Sequence, residues 1–392
     1  MVKTFILCSI FCCLRVNVAT ASYAAWVVSG PADTLVADTN KLWFDKSDCL
    51  LISLGLDQRN YDIRFLNSSP NLLGVLGGYV TNQSPNLNWK FFPTINQNNA
   101  SVSINTRYVS LAYTKAIKPI GSAQFTDITA FNFSIPYRHF SFTFDYLKFT
   151  GLNRVEPVYK TSTFLKDMVY NPISINVEYT FKKAYGMKGG KPLRNSLYFV
   201  PKKFMAAYSI VVGGLKLTMN NPDDFIPGLM YKNNVFNDSI IQVNGVYVNK
   251  FTSTGFFFGG PKAVFVAPLV VGKNTYKPRV LYLKGMFYYG LNSQKYEYHV
   301  LSDKVFTSTQ FVQKQKGFGL TKNFHLKGSL IYDINFLLIG ISASFDKDNY
   351  GDSNEYLHVA ETQINYNAFL SFRLGANKIY GKIESVKRRI LK

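Results

Sequence analysis

The chain has 392 residues, room for one large or two ordinary domains, and a formal charge of +21 from 44 basic and 23 acidic side chains. Aromatic residues make up 16% of it, with 33 Phe and 26 Tyr, a load that a membrane barrel spreads over a lipid-facing belt. Of four cysteines, Cys8, Cys12 and Cys13 precede Leu14 and only Cys49 lies beyond, which excludes a scaffold stapled by disulfides.

In chain order, the first element is "MVKTFILCSIFCCLRVNVATASYAAW". Lys3 supplies a positive start, Thr4 to Leu14 an apolar stretch, and Ala19-Thr20-Ala21 a small-x-small cleavage site. The expectation is a signal peptide over residues 1–21, because the apolar run is about half the ~20 residues a spanning helix needs. A short periplasmic segment, 22–40, then leads to a barrel over 41–374 and a basic tail over 375–392. The basic balance points to an anionic partner, and export sets nucleic acid aside in favour of outer-membrane lipid and lipopolysaccharide.

Beyond the leader the dominant signal is alternation, which in a strand sends successive side chains to opposite faces. "TAFNFSIPY" sets Phe131, Phe133 and Ile135 against Asn132 and Ser134. A hairpin turn then leads into "HFSFTFDYLKF", where Phe140, Phe142, Phe144 and Tyr146 oppose Ser141, Thr143 and Asp145. "ISINVEYTF" alternates Ile173, Ile175, Val177 and Tyr179 with Ser174, Asn176, Glu178 and Thr180. Near the other end, "LKGSLIYDIN", "IGISASFD" and "INYNAFLSFRLG" repeat the pattern. Further strands are expected near Leu51–Leu56, Tyr61–Leu66, Leu73–Val80, Val102–Tyr113, Phe204–Val212, Phe256–Ala267, Val280–Tyr289 and Gln310–Leu320. Together they predict an all-β protein, an antiparallel up-and-down transmembrane barrel of about 12–14 strands with the rings facing lipid. A closed barrel also needs no internal domain boundary and leaves no sheet edge, and no such boundary is visible.

Certain strands resemble a family. "DKSDCLLISLGLDQRNYDIRFLN" and "FTDITAFNFSIPYRHFSFTFDYLKFTGLNRVE" are similar to strands of Bacteroidota outer-membrane β-barrel proteins catalogued only as a domain of unknown function. "SINVEYTF" followed by "KKFMAAYSIVVGG" resembles the next strand pair of that family. The similarity runs from about Lys41 to Leu374 and rests on strand pattern and spacing. It implies a barrel in the bacterial outer membrane and brings no catalytic residue with it. The lysine-rich segment before "FMAAYS" and the basic tail depart from the family's pattern.

If the apolar rings face lipid, the polar face lines a lumen. Candidate lumen residues are then Asp145, Glu178, Lys327, Asp333 and Arg373, all at mid-strand. Candidate contacts to anionic headgroups or small anions are Lys182, Lys183, Lys188 and Lys191 in one connection and Lys387, Arg388 and Arg389 in the tail. Periplasmic or envelope proteins are the alternative partners of these segments.

The sequence carries no motif that calls for a catalyst, a cofactor or a metal. His139, His299, His325 and His358 show no metal-ligand spacing, and each reads as a turn, strand-end or loop residue. His325 and Ser329 share a strand but stand ~13 Å apart at ~3.3 Å per residue, too far for a nucleophile and its base. "GMKGGKP" lacks phosphate-loop spacing and ends in Pro192. The expectation is therefore a non-enzymatic barrel acting as a passive pore for small solutes, anions among them. A non-conducting accessory barrel in envelope assembly or secretion, and a secreted β-sandwich adhesin, stay open as alternatives.

Overall fold

The computed structural model describes residues 43–45, 49–67, 87–95, 97–106, 108–122, 124–137, 139–156, 160–181, 183–184, 187–188, 199–222, 229–233, 239–244, 246–272, 279–303, 310–351 and 358–375. The expected signal peptide, the strand near Leu73–Val80, Lys182, Lys191 and the tail residues Lys387, Arg388 and Arg389 lie outside them.

The strands are β1 (Trp43–Asp45), β2 (Cys49–Asn67), β3 (Leu87–Phe92), β4 (Asn98–Asn105), β5 (Ser110–Ala116), β6 (Asp127–Tyr137) and β7 (Phe140–Val155). Then follow β8 (Ser162–Thr180), β9 (Lys183–Ala184), β10 (Met187–Lys188), β11 (Phe199–Pro201), β12 (Met205–Asn220), β13 (Leu229–Asn233) and β14 (Ser239–Asn244). Last come β15 (Val246–Val271), β16 (Val280–Asp303), β17 (Gln310–Asp333), β18 (Leu337–Gly351) and β19 (His358–Gly375). Antiparallel pairing runs β2, β4, β5, β6, β7, β8, β12, β15, β16, β17, β18, β19 and back to β2, a closed ring of twelve strands. At the closing seam the Ser371 hydroxyl donates to Ser53 Oγ at 2.6 Å. The protein is a transmembrane antiparallel β-barrel.

Three of the expected boundaries fall differently. Leu51–Leu56 and Tyr61–Leu66 are parts of one strand, β2, and Gln310–Leu320 runs without a break through "LKGSLIYD" as β17. Val102–Tyr113 is instead a hairpin of β4 and β5, turned where the Thr106 hydroxyl caps Val109 N at 2.9 Å. Polar residues that read as breaks in β2 and β17 sit in strands that continue past the apolar belt.

Alternation explains the wall. Ile173, Ile175, Val177 and Tyr179 point outward, and Ile175 is 60% exposed. Phe140 and Phe142 are exposed on the same outer surface, so the rings of "HFSFTFDYLKF" face outward as expected. Tyr137, Phe140, Phe181, Phe204 and Phe336 are exposed near the end that carries the β6–β7 connection and the turn at 334–336, an aromatic edge suited to a membrane interface. Arginine at position 175 should lower the stability of folding into bilayers by about 2–4 kcal/mol. Asn176→Lys, one residue on and facing the lumen, should cost less than half as much; urea titration of both variants in lipid vesicles measures this.

Above the belt the barrel narrows. β4, β5 and β6 stop, and β3 alone takes their place, pairing Ile63–Asn67 of β2 on one side and Asn153–Val155 of β7 on the other. Twelve strands thus become ten, and because barrel diameter scales with strand number the interior shrinks by roughly a sixth. β15, β16 and β17 are the longest strands, and the part of each beyond the belt belongs to this narrower section.

The turn at 334–336 shows local sequence control. Asn335 adopts φ 68°, a conformation asparagine tolerates, and Asp333 Oδ1 accepts its backbone N–H at 2.9 Å.

Candidate functional site

The lumen is the place where polar side chains converge, and it is layered along the barrel axis. At the short-turn end, inward residues of six ring strands (Leu51, Met205, Val266, Tyr282, Ile331 and Leu338) form one buried apolar cluster with Val200 of β11. β11 pairs with β1, so this short two-stranded ladder packs against that cluster. Beside it Arg373 binds Asp333 with two nitrogens, at 2.7 and 2.5 Å, and donates to Asn335 O at 2.7 Å. Both side chains are fully buried.

Next comes a polar cavity of about 600 Å³, lined by many serine and threonine side chains together with Arg59, Lys262, Lys284, Lys327, Asp57 and Glu178. Arg59 donates to Asp57 at 2.7 Å. Glu178 accepts from Lys262 and from the Ser209 hydroxyl, each at 2.7 Å. A second cavity of about 460 Å³ adjoins it through Lys262 and Met286, and its wall is acidic: Asp145, Asp346, Asp348 and Glu361. Here His325 is bracketed, with Nδ1 2.8 Å from Asp346 and Nε2 3.2 Å from Asp348. Asn132 donates to Asp145 across β6 and β7.

The third layer crosses the lumen. Tyr170 of β8 donates its hydroxyl to Glu361 of β19, and Tyr350 reaches the same carboxylate oxygen at 3.3 Å. β8 and β19 stand diametrically opposite in the ring, so this bond spans the barrel. Just beyond it the Phe65 and Phe251 rings, from β2 and β15 on opposite sides, meet edge-on at 5.3 Å between centroids. Ile63, Trp89, Phe91, Phe149 and Met219 join the same buried cluster. The narrowing to ten strands brings opposite walls close enough for side chains to fill the interior.

The structure places Glu178 and Lys327 in the wall of the first cavity and Asp145 in the wall of the second. Asp333 and Arg373 also face inward but form a buried ion pair beside the apolar cluster instead of lining water. His325 departs from its expected place in a turn, strand end or loop, since it stands within β17 between two carboxylates. Lys183 and Lys188 fall in β9 and β10, which pair with each other in the connection between β8 and β12 at the short-turn end. Arg59, Lys262, Lys284, Asp348 and Glu361 complete the lumen and were not picked out by alternation.

No protein-family model and no curated protein matches the chain. Among solved structures it is similar to the outer membrane protease OmpT from Escherichia coli, at 6% identity over 86% of this chain and 100% of that one, TM-score 0.42. It is also similar to the toluene transporter TodX of Pseudomonas putida, at 9% identity over 83% and 89% of the two chains, TM-score 0.25. A third is the transport unit of the autotransporter AIDA-I from Escherichia coli, at 7% identity over 83% and 90%, TM-score 0.25.

Proposed function

We propose that the protein is an outer-membrane barrel of the bacterial envelope that encloses a hydrated chamber and conducts small hydrophilic solutes, anions foremost, only when its cap opens. It is a gated conduit, in contrast to the passive pore that alternation alone suggests. The observation that carries this reading is the Tyr170–Glu361 hydrogen bond between opposite walls, backed by the Phe65–Phe251 contact. A lumen bridged in this way corresponds to the closed state of such a conduit, while the polar cavities below it have no place in a purely structural core. The outward apolar belt supports a membrane setting, and the short turns support a periplasmic orientation for their end.

Liposome swelling tests the reading. Vesicles containing the folded wild-type barrel should swell no faster in small sugars or amino-acid anions than protein-free vesicles. Swelling at porin-like rates would refute a closed cap.

A non-conducting docking barrel is the second reading. Its support is the lysine-rich connection between β8 and β12, whose flanking strands both end at the short-turn end. A partner recovered in mild detergent and lost on deleting residues 380–392 would favour docking.

A further inference from the structure

We propose that the lower cavity is a binding site for a neutral polyol of monosaccharide size, held above the apolar layer beside the seam of β2 and β19. The inference deepens the conduit reading by naming a solute, and rests on it only for a lumen that takes up hydrophilic molecules.

The composition of the wall sets the ligand's chemistry. Ten serines, three threonines and two asparagines line the cavity. Each of these side chains can both donate and accept a hydrogen bond, as each hydroxyl of a sugar does. The charged groups are engaged within the wall. Asp57 accepts from Arg59 and Glu178 from Lys262, each at 2.7 Å. Lys327 stands in the field of Asp346, and Lys284 in that of Glu178. A charged ligand would have to break into these pairings, whereas a neutral one uses the hydroxyls and amides between them.

Unmet hydrogen bonds point the same way. Three buried polar atoms of the wall have no partner among the described residues: Asp57 Oδ1, Asn365 Oδ1 and Thr180 Oγ1. The first two are acceptors, and their side chains are held in place. The other Asp57 oxygen accepts from Arg59, and the Asn365 amide nitrogen donates to Ser344 Oγ at 3.2 Å. What the two oxygens lack is a donor, which an oxyanion cannot supply and a sugar hydroxyl can.

The fold brings these two residues to one place. β2 and β19 are neighbours at the closing seam. Gly55 lies so near Asn367 that an added Cβ would stand 3.4 Å from its amide nitrogen. Two residues further toward the cap on each strand come Asp57 and Asn365.

Below them the inward row Ile331, Gly340, Phe369 crosses β17, β18 and β19. Gly340 has no side chain, and the tip of the Phe369 ring fills the space its Cβ would take. Phe369 and Ile331 thereby give the cavity an apolar floor. A sugar ring has the same division, with an apolar C–H face and a rim of hydroxyls. The cavity's 600 Å³ falls within the roughly 300–1,000 Å³ of small-molecule sites.

D-Glucose and D-galactose are the probes. The full-length chain is folded from urea into detergent with tritiated sugar present, so that occupancy does not wait on the cap. Equilibrium dialysis then measures the bound sugar. The expected result is saturable binding of at least one of the two, at one site per barrel, undisturbed by excess phosphate. Asn365→Ala and Asn367→Ala should each weaken it by about 3- to 10-fold, the range for losing one neutral hydrogen bond. Tyr366→Phe, outward-facing on the same strand, should bind like wild type. A heat-modifiable gel shift confirms that each variant is folded.

Three results would overturn the site: binding of neither sugar at millimolar concentration, displacement of bound sugar by phosphate, or a folded Asn365→Ala/Asn367→Ala double variant that binds as tightly as wild type. None of them touches the closed cap. Conversely, free swelling of wild-type liposomes would refute the cap while leaving this equilibrium measurement valid.

Discussion

Phe251→Ala combined with Glu361→Ala is expected to turn a silent barrel into one that conducts in discrete steps. The first change removes a ring that meets Phe65 from the opposite wall, and the second removes the acceptor of the Tyr170 hydrogen bond. Either alone leaves the other bridge in place, so the single variants should open much less often than the pair. Truncating a buried phenylalanine costs about 3–5 kcal/mol of packing, which the long ladders of β15, β16 and β17 should absorb without unfolding. Once open, the lumen should favour anions, because Lys284 and Lys327 line the path beneath the cap. Adding Lys327→Glu should then move the reversal potential under a salt gradient toward cation preference. Planar-bilayer recording of the double and triple variants measures both effects. An open double variant that prefers cations would remove the basic cavity from the conduction path.

The second large effect is on stability. Arg373→Ala should lower the unfolding free energy by about 3–5 kcal/mol, because it strands Asp333 uncompensated in an apolar layer. The pair is bidentate, and Asp333 also caps the turn at Asn335, so the β17–β18 hairpin should loosen as well. Replacing both residues by apolar ones of similar size, Arg373→Met with Asp333→Leu, should recover much of the loss by removing the orphaned charge. Urea unfolding in detergent, with the temperature of the gel-mobility shift as a second readout, separates the single from the double variant. Equal losses in the two would show that the ion pair itself, and not the unpaired charge, sets the stability of this end.

The barrel wall was readable because lipid on one side and polar groups on the other enforce a period of two. Ile173 to Thr180 in β8 and Ile364 to Leu374 in β19 show it with hardly an exception. The lumen was readable only where its inward positions stay polar. Lys284 escaped because its inward neighbours Tyr282 and Met286 are as apolar as the outward residues around them, which erases the alternation. Lys262 escaped for a different reason. It follows a register shift between Gly259 and Lys262 that moves the inward set from odd to even positions along β15. Arg373 and Asp333 were found by pattern, but their partnership depends on two strands being next-but-one neighbours in the ring.

The cap could not be read at all from one sequence. Tyr170 and Glu361 are 191 residues apart, and no local rule places them face to face. The narrowing that brings them together comes from β3 standing in for three strands, a topological fact. The apolar residues above the belt, such as Ile63 and Phe65, continue the spacing of β2 but point inward. In sequence they look like more lipid-facing strand, whereas they fill the neck.

The most direct measurement of the closed lumen is planar-bilayer conductance of the unmodified protein, with insertion verified independently by protease protection of the reconstituted barrel. Inserted protein with no lasting conductance steps at moderate voltage is the expected result. Stable, voltage-independent steps from the wild-type barrel would contradict it, because current cannot pass while the Tyr170–Glu361 and Phe65–Phe251 contacts hold the lumen shut.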